Sequence, residues 1–213
     1  ASRAAELDYP TFYRTIGRDE AYSRVRRLLP TAHAHLASAE PHNLAREVIY
    51  NAPARPLNVV LITVESLSAE FLGAFGNTEG LTPRLDALAA DGLLFTRLYA
   101  TGNRTVRGLE ALSLSIPPTP GESIVKRPGN GGLTTIGRVL EDRGYDVRFV
   151  YGGYSYFDNM RAYFASNGYA VIDRTAIAPQ DIHHETVWGV ADEDLYTRAL
   201  AEIDDSHARG RKS

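Results

Sequence analysis

Leu57-Asn-Val-Val-Leu-Ile-Thr-Val-Glu-Ser66 opens as a continuous apolar, β-branched run and stops at a carboxylate. A run without polar alternation is expected as a strand buried on both faces of a parallel sheet. Beyond it the chain alternates in kind. Thr82-Pro83 reads as a helix start, with Thr as N-cap and Pro at the first helical position, and the helix PRLDALAAD stops at Gly92. Residues 93–99 read as the next strand. Residues 105–115 have helical apolar spacing through Val106, Leu109, Leu112 and Ile116. A helix over 134–143 ends at Gly144, a strand comes next over 145–151, and a helix over 157–167 ends at Gly168. A short strand over 169–173 and a charged amphipathic helix over 191–207 complete the series. Strands alternating with helices predict an α/β fold, a mostly parallel sheet with helices on both faces.

Upstream, residues 1–56 form an irregular, partly helical lead-in. Residues 19–29 have helical spacing, with Tyr22, Val25 and Leu28 on one face, and 36–50 is weakly periodic around Pro41. The prolines of APARP (52–56) disfavour helix, so a linker is expected there and the domain boundary falls between 56 and 57. The second domain spans 57–213, and only the resemblance described below implies that it is the first portion of a catalytic domain.

Composition excludes several classes. The 213 residues carry 23 Lys and Arg against 26 Asp and Glu, a net charge of −3, with the basic residues scattered among acidic ones, so no nucleic-acid surface is expected. There is no cysteine, which removes disulfides, thiolate zinc sites and a cysteine nucleophile. No stretch reaches the roughly 20 apolar residues that cross a bilayer. The first seven residues show no apolar signal core, and ARGRKS (208–213) comes after a polar helix without closing a pattern, which reads as a truncation.

Ligands of parallel α/β sheets bind at the carboxyl ends of the strands. Glu65 stands at one such end, where a carboxylate serves either as a ligand for a hard cation or as an acid favoured by a helix dipole. Thr105 would begin a helix, beside Arg104 and Arg107. A hydroxyl there either caps the helix or attacks phosphorus, with arginines pairing to phosphate oxygens. YGGYSYFDNM (151–160) comes after a strand and is either a glycine-rich turn with a packed Phe157 or a substrate loop. His183 and His184 are adjacent in an extended segment, so their side chains diverge and no shared metal is expected.

Taken together, 57 to about 194 resembles the lipoteichoic-acid-synthase branch of the alkaline phosphatase/sulfatase superfamily. The resemblance rests on NVVLITVES (58–66), LTPRLDALAADGLLFTRLYATGNRTVRGLEA (81–111), PPTPG (117–121), VYGGYSYFDNM (150–160), NGYAVIDR (167–174) and WGVADEDL (188–195). It implies that Glu65 is a metal ligand and that Thr105 is the nucleophile and also touches the metal. Arg104 takes the place of a basic residue beside the nucleophile. Tyr151 and Gly153 match positions that contact substrate. Asp158 and Met160 stand where lipoteichoic acid synthases carry Trp and Arg for glycerol phosphate, a departure that fits a Gram-negative relative.

The implied activity is transfer of a glycerol-phosphate head group from a phospholipid to a glycan or glycolipid, through a phospho-threonine. The implied cofactor is a divalent metal, Mn2+, Mg2+ or Zn2+. The family's further ligands, an Asp-His pair, do not occur in this chain, so the chain alone is expected to be inactive and to bind metal weakly or not at all. The resemblance also implies a membrane anchor outside this chain, with ELDYPTFY (6–13) leading to a catalytic domain that faces the periplasm or exterior. An incomplete domain would expose apolar surface, so self-association is expected. Sulfatases use a Cys or Ser in a C/S-x-P-x-R context, which this sequence lacks. A hydrolase that uses water as acceptor and a non-catalytic binding module remain as alternatives.

Overall fold

The computed structural model describes residues 9–53 and 55–213. Ala1–Leu7 and the first three residues of the 6–13 segment, together with Ala54 of the linker, lie outside the described residues. The chain forms two compact units, Ala1–Leu57 and Asn58–Ser213.

The first unit holds helices α1 (Tyr9–Phe12) and α2 (Arg18–Leu28) and an antiparallel pair, β1 (Ala34–Leu36) with β2 (Arg46–Val48). The weakly periodic stretch 36–50 therefore folds as a strand return. Arg26 on α2 ties that return down by donating to the carbonyls of Asn43 and Ser38.

The second unit contains α3 (Pro83–Asp91), α4 (Thr105–Leu114), α5 (Ile136–Glu141), strand β3 (Arg148–Val150), α6 (Met160–Ala165), β4 (Ala170–Ile172), the hairpin strands β5 (Glu185–Thr186) and β6 (Gly189–Val190), and α7 (Asp192–Ala208). It is an α/β arrangement in which β3 and β4 pair in parallel, Phe149 opposite Val171. The core lies where α4, α6 and the strands meet: Val106, Val125, Met160, Tyr163 and Phe164 are buried, with Phe149, Tyr169 and Val171 packed on them. Fully burying one such side chain contributes about 1.5–3 kcal/mol.

Residues 57–64 and 93–99, expected as strands, join no ladder among the described residues. Val60, Leu61 and Ile62 are exposed, as are Leu93, Leu98 and Tyr99. The reason is physical. A strand buried on both faces needs flanking strands and covering helices. The described residues give this run only isolated tethers, such as Val59 N to Ser213 O at 2.8 Å. The helix expected over 157–167 is also broken: Asp158 and Asn159 adopt φ of 52° and 62°, so a 3₁₀ turn at Phe157–Asn159 precedes α6.

Gly137 on α5 shows how tight the packing is. A Cβ there would lie 2.2 Å from the Tyr169 ring, whose hydroxyl accepts from Gly137 N at 3.0 Å. Gly137→Ala should destabilise the second unit by about 1–3 kcal/mol, read as a lowered Tm, because overpacking displaces the half-buried Tyr169 ring.

Candidate functional site

Helix α4 starts at Thr105 after an extended Arg104 (φ −135°, ψ 143°), and no side chain caps it. Its first N–H groups are therefore available to an anion. The Thr105 hydroxyl donates to Glu65 Oε2 at 2.9 Å, across 40 residues of sequence. Both side chains are solvent-exposed. Ser66, next to Glu65, has φ 58°, a left-handed value that a non-glycine residue adopts at a cost of about 1–3 kcal/mol. Arg104 is exposed: its carbonyl accepts from Arg107 N at 2.9 Å, and its guanidinium makes no hydrogen bond or ion pair among the described residues.

Arg107 goes elsewhere. Its guanidinium donates to Glu110 at 2.8 Å, to Thr119 O at 2.9 Å and to Gly121 O. Its donors are thus engaged inside the fold rather than held beside Thr105. Glu110 is fully buried and also accepts from Ser123 Oγ at 2.8 Å and Ile124 N at 2.6 Å. These bonds pin the 119–126 segment to α4 and set the position of Lys126.

Lys126 Nζ lies 3.2 Å from Asp158 Oδ1. Asn159 Nδ2, donating to Val125 O at 2.8 Å, holds the same two segments together. Tyr151 leaves β3 through a bond from its N to Ile172 O at 2.9 Å. Burial raises its phenol pKa, and the charges of Asp158 and Glu65 raise it further, so the hydroxyl stays protonated. Gly153 lets the backbone close in: a Cβ there would lie 2.8 Å from the Tyr151 ring.

The loop is anchored from below by Asp173, 3% exposed. Its carboxylate accepts from Ser155 N and Oγ, Arg161 Nη2, and Thr175 N and Oγ1. Burial pushes its pKa up, but the hydrogen bonds from Ser155, Thr175 and Arg161 outweigh burial and hold the carboxyl well below the usual range.

Thr105 thus meets Glu65 directly, and the charges of Glu65 and Asp158 both act on Tyr151, while Arg107 is turned inward. Sequence reasoning missed Lys126 and Asp173. Neither sits in a spacing that signals a site, and only hydrogen-bond partners far along the chain identify them. His183 and Glu185 have separate partners, Asp194 at 2.6 Å and Arg174 at 2.7 Å. The hydrogen bond that His183 donates to the Asp194 carboxylate raises the His183 pKa. That pair therefore contributes stability below the unfolded pKa and loses it as pH rises through the folded one.

Glu65 and Thr105 offer two oxygen donors of the kind hard cations bind, spaced as neighbouring ligands. Such cations take about six or more oxygens. Among the described residues no three His, Cys, Asp or Glu cluster around a common point. These two residues fit as part of a metal's shell and do not complete one.

This parallel-stranded α/β unit, with its helix-terminal hydroxyl, has the fold of the alkaline phosphatase superfamily. A superfamily protein from Vibrio parahaemolyticus superposes with a TM-score of 0.73 and 30% identity, over 93% of this chain and 48% of that one. Residues 57–212 match the family model named Sulfatase, and the chain belongs to that family. The lipoteichoic acid synthase LtaP from Listeria monocytogenes shares the fold, with a TM-score of 0.55 at 18% identity over 62% of this chain and 32% of that one. Human arylsulfatase A is 37% identical over 103 residues, 44% of this chain and 20% of that protein. The chain thus spans about a fifth of that curated relative and about half of the Vibrio structure. No helix among the described residues is long and apolar enough to cross a membrane.

Proposed function

We propose that this chain is the front portion of a phosphoglycerol transferase and that Thr105 is its nucleophile. The observation that carries the reading is the Thr105–Glu65 hydrogen bond at the uncapped start of α4. The Thr105 Oγ–P bond forms, the bond from phosphorus to the diacylglycerol oxygen breaks, and the leaving oxygen is protonated from solvent. An acceptor hydroxyl of a glycan or glycolipid then attacks phosphorus, the Thr105 Oγ–P bond breaks, and the acceptor's proton passes through solvent to the released Thr105 oxygen. The carboxylate of Glu65 orients the hydroxyl and faces its departing proton. Arg104 and the open N–H groups of α4 meet the charge on the phosphoryl oxygens. Tyr151, kept protonated, donates a hydrogen bond to the head group.

A threonine hydroxyl is a weak nucleophile unaided. Glu65 and Thr105 would hold a divalent cation (Mn2+, Mg2+ or Zn2+) together with ligands from a longer chain, and when bound it would acidify the hydroxyl and neutralise charge. Coverage of 48% of the Vibrio structure supports a longer enzyme. A phospholipid donor calls for a membrane-anchored protein with this domain in the periplasm or outside the cell.

Similarity to arylsulfatase A favours a second reading, ester hydrolysis with water as acceptor. Against sulfate chemistry stand the absence of cysteine and of a C/S-x-P-x-R context in these 213 residues. Incubating the longer enzyme with phosphatidylglycerol vesicles, quenching, and sequencing peptides by mass spectrometry should find a glycerophosphoryl ester on Thr105. Diacylglycerol release without any adduct on Thr105 would remove the transferase mechanism.

A further inference from the structure

The chain's one tryptophan, Trp188, stands at the tip of the β5–β6 hairpin. That hairpin packs backbone to backbone on the loop after β3. Val190 N donates to Gly152 O at 3.0 Å. A Cβ on Gly189 (φ +147°) would come 2.4 Å from the same carbonyl oxygen, and a Cβ on Gly153 would come 2.4 Å from Trp188 O. No side chain fits at either glycine without moving backbone, so Gly153 and Gly189 fix the backbone from which the indole projects. It meets Phe157 edge-on, 6.2 Å between centroids and 76° between planes. Packing leaves the pair open: Trp188 is 73% exposed and Phe157 46%.

Phe157 directly precedes Asp158, whose carboxylate pairs with Lys126 and whose charge acts on Tyr151. Gly153 places the hairpin tip beside Tyr151, since a Cβ there would lie 2.4 Å from Trp188 O and 2.8 Å from the Tyr151 ring, and the Lys126–Asp158 ion pair neighbours Phe157 along the chain. We propose that Trp188 and Phe157 form a platform for one face of a sugar ring, which makes the acceptor a glycan. The term acceptor rests on the transferase reading; the binding itself does not. A sugar ring presents C–H bonds on its face and hydroxyls around its edge. Exposed aromatic rings suit the first, and the Asp158 carboxylate and Lys126 ammonium suit the second. An acyl chain in the same place would strip water from that ion pair without replacing its hydrogen bonds.

A single tryptophan makes the test direct, since all indole emission from the 213-residue chain reports on this platform. The free chain should emit as a water-exposed indole. Titration with a soluble gluco-oligosaccharide should change that emission saturably, and Phe157→Ala should weaken Kd about three- to tenfold while keeping the reporter. Trp188→Ala, followed by calorimetry, should lose oligosaccharide binding to a similar or greater degree. A blue, buried emission in the free chain would overturn the proposal. So would no response to oligosaccharide alongside a shift with phosphatidylglycerol vesicles, which would make the tip a lipid-facing surface. The titration needs no turnover. Saturable binding without an adduct on Thr105 leaves the platform and removes the transferase; an adduct without oligosaccharide binding removes only the platform.

Discussion

Thr105→Ala in the longer enzyme should abolish the glycerophosphoryl adduct and lower kcat by about 10⁴-fold or more, the scale of losses on removing a covalent nucleophile. The expectation comes from position. Thr105 is the first residue of α4, its hydroxyl donates to Glu65 at 2.9 Å, and no side chain competes for the N–H groups behind it. Thr105→Ser keeps a hydroxyl at the same helix end and should retain the adduct. Because Thr105 is exposed, neither change removes core packing, and both variants should melt with the parent. Turnover of Thr105→Ala at the parent rate would leave this site without its nucleophile.

Asp173→Asn should destabilise the second unit by about 2–4 kcal/mol, measured as a fall in the urea midpoint at constant m. Five donors converge on this carboxylate from Ser155, Arg161 and Thr175, and an amide turns an NH₂ toward some of them. A buried donor facing another donor loses its water without a replacement. The pH dependence has a definite sign. The folded carboxyl is held below its unfolded pKa of about 4, so its contribution is present above that pH and is lost as pH falls toward the folded value. The parent should therefore lose stability on acidification below about pH 4 more steeply than Asp173→Asn. An unchanged urea midpoint in the variant would mean that these hydrogen bonds do not hold the 151–157 loop.

The comparison of sequence with structure turns on range. The helices at 83–91, 105–114 and 192–208 lie close to where periodicity and punctuation put them, because apolar spacing, Pro83 and the Gly92 stop act within a turn or two of the chain; the expected Thr82 cap does not form, its hydroxyl donating to Phe71 O and Asp86 instead. The 57–64 run is the instructive failure. Its composition is that of a buried strand, yet a strand exists only where neighbours accept its hydrogen bonds, and the described residues form no ladder with it. The break at Asp158 and Asn159 went unread for a related reason. Left-handed backbone at two successive non-glycine residues is held by contacts, here Lys126 to Asp158 and Asn159 to Val125 O, that lie more than 30 residues away in sequence.

The residues alone determined the α/β class, the helix that begins at Thr105 and the kind of chemistry a hydroxyl and a carboxylate allow there. Tertiary structure decided the rest: that Glu65 reaches Thr105, that Arg107 turns inward to Glu110, that Lys126 meets Asp158, and that Gly153 and Gly189 let the Trp188 hairpin close on the loop. Local pattern records backbone preference within a few residues. Partners tens of residues apart are chosen only when the packed core brings their segments together.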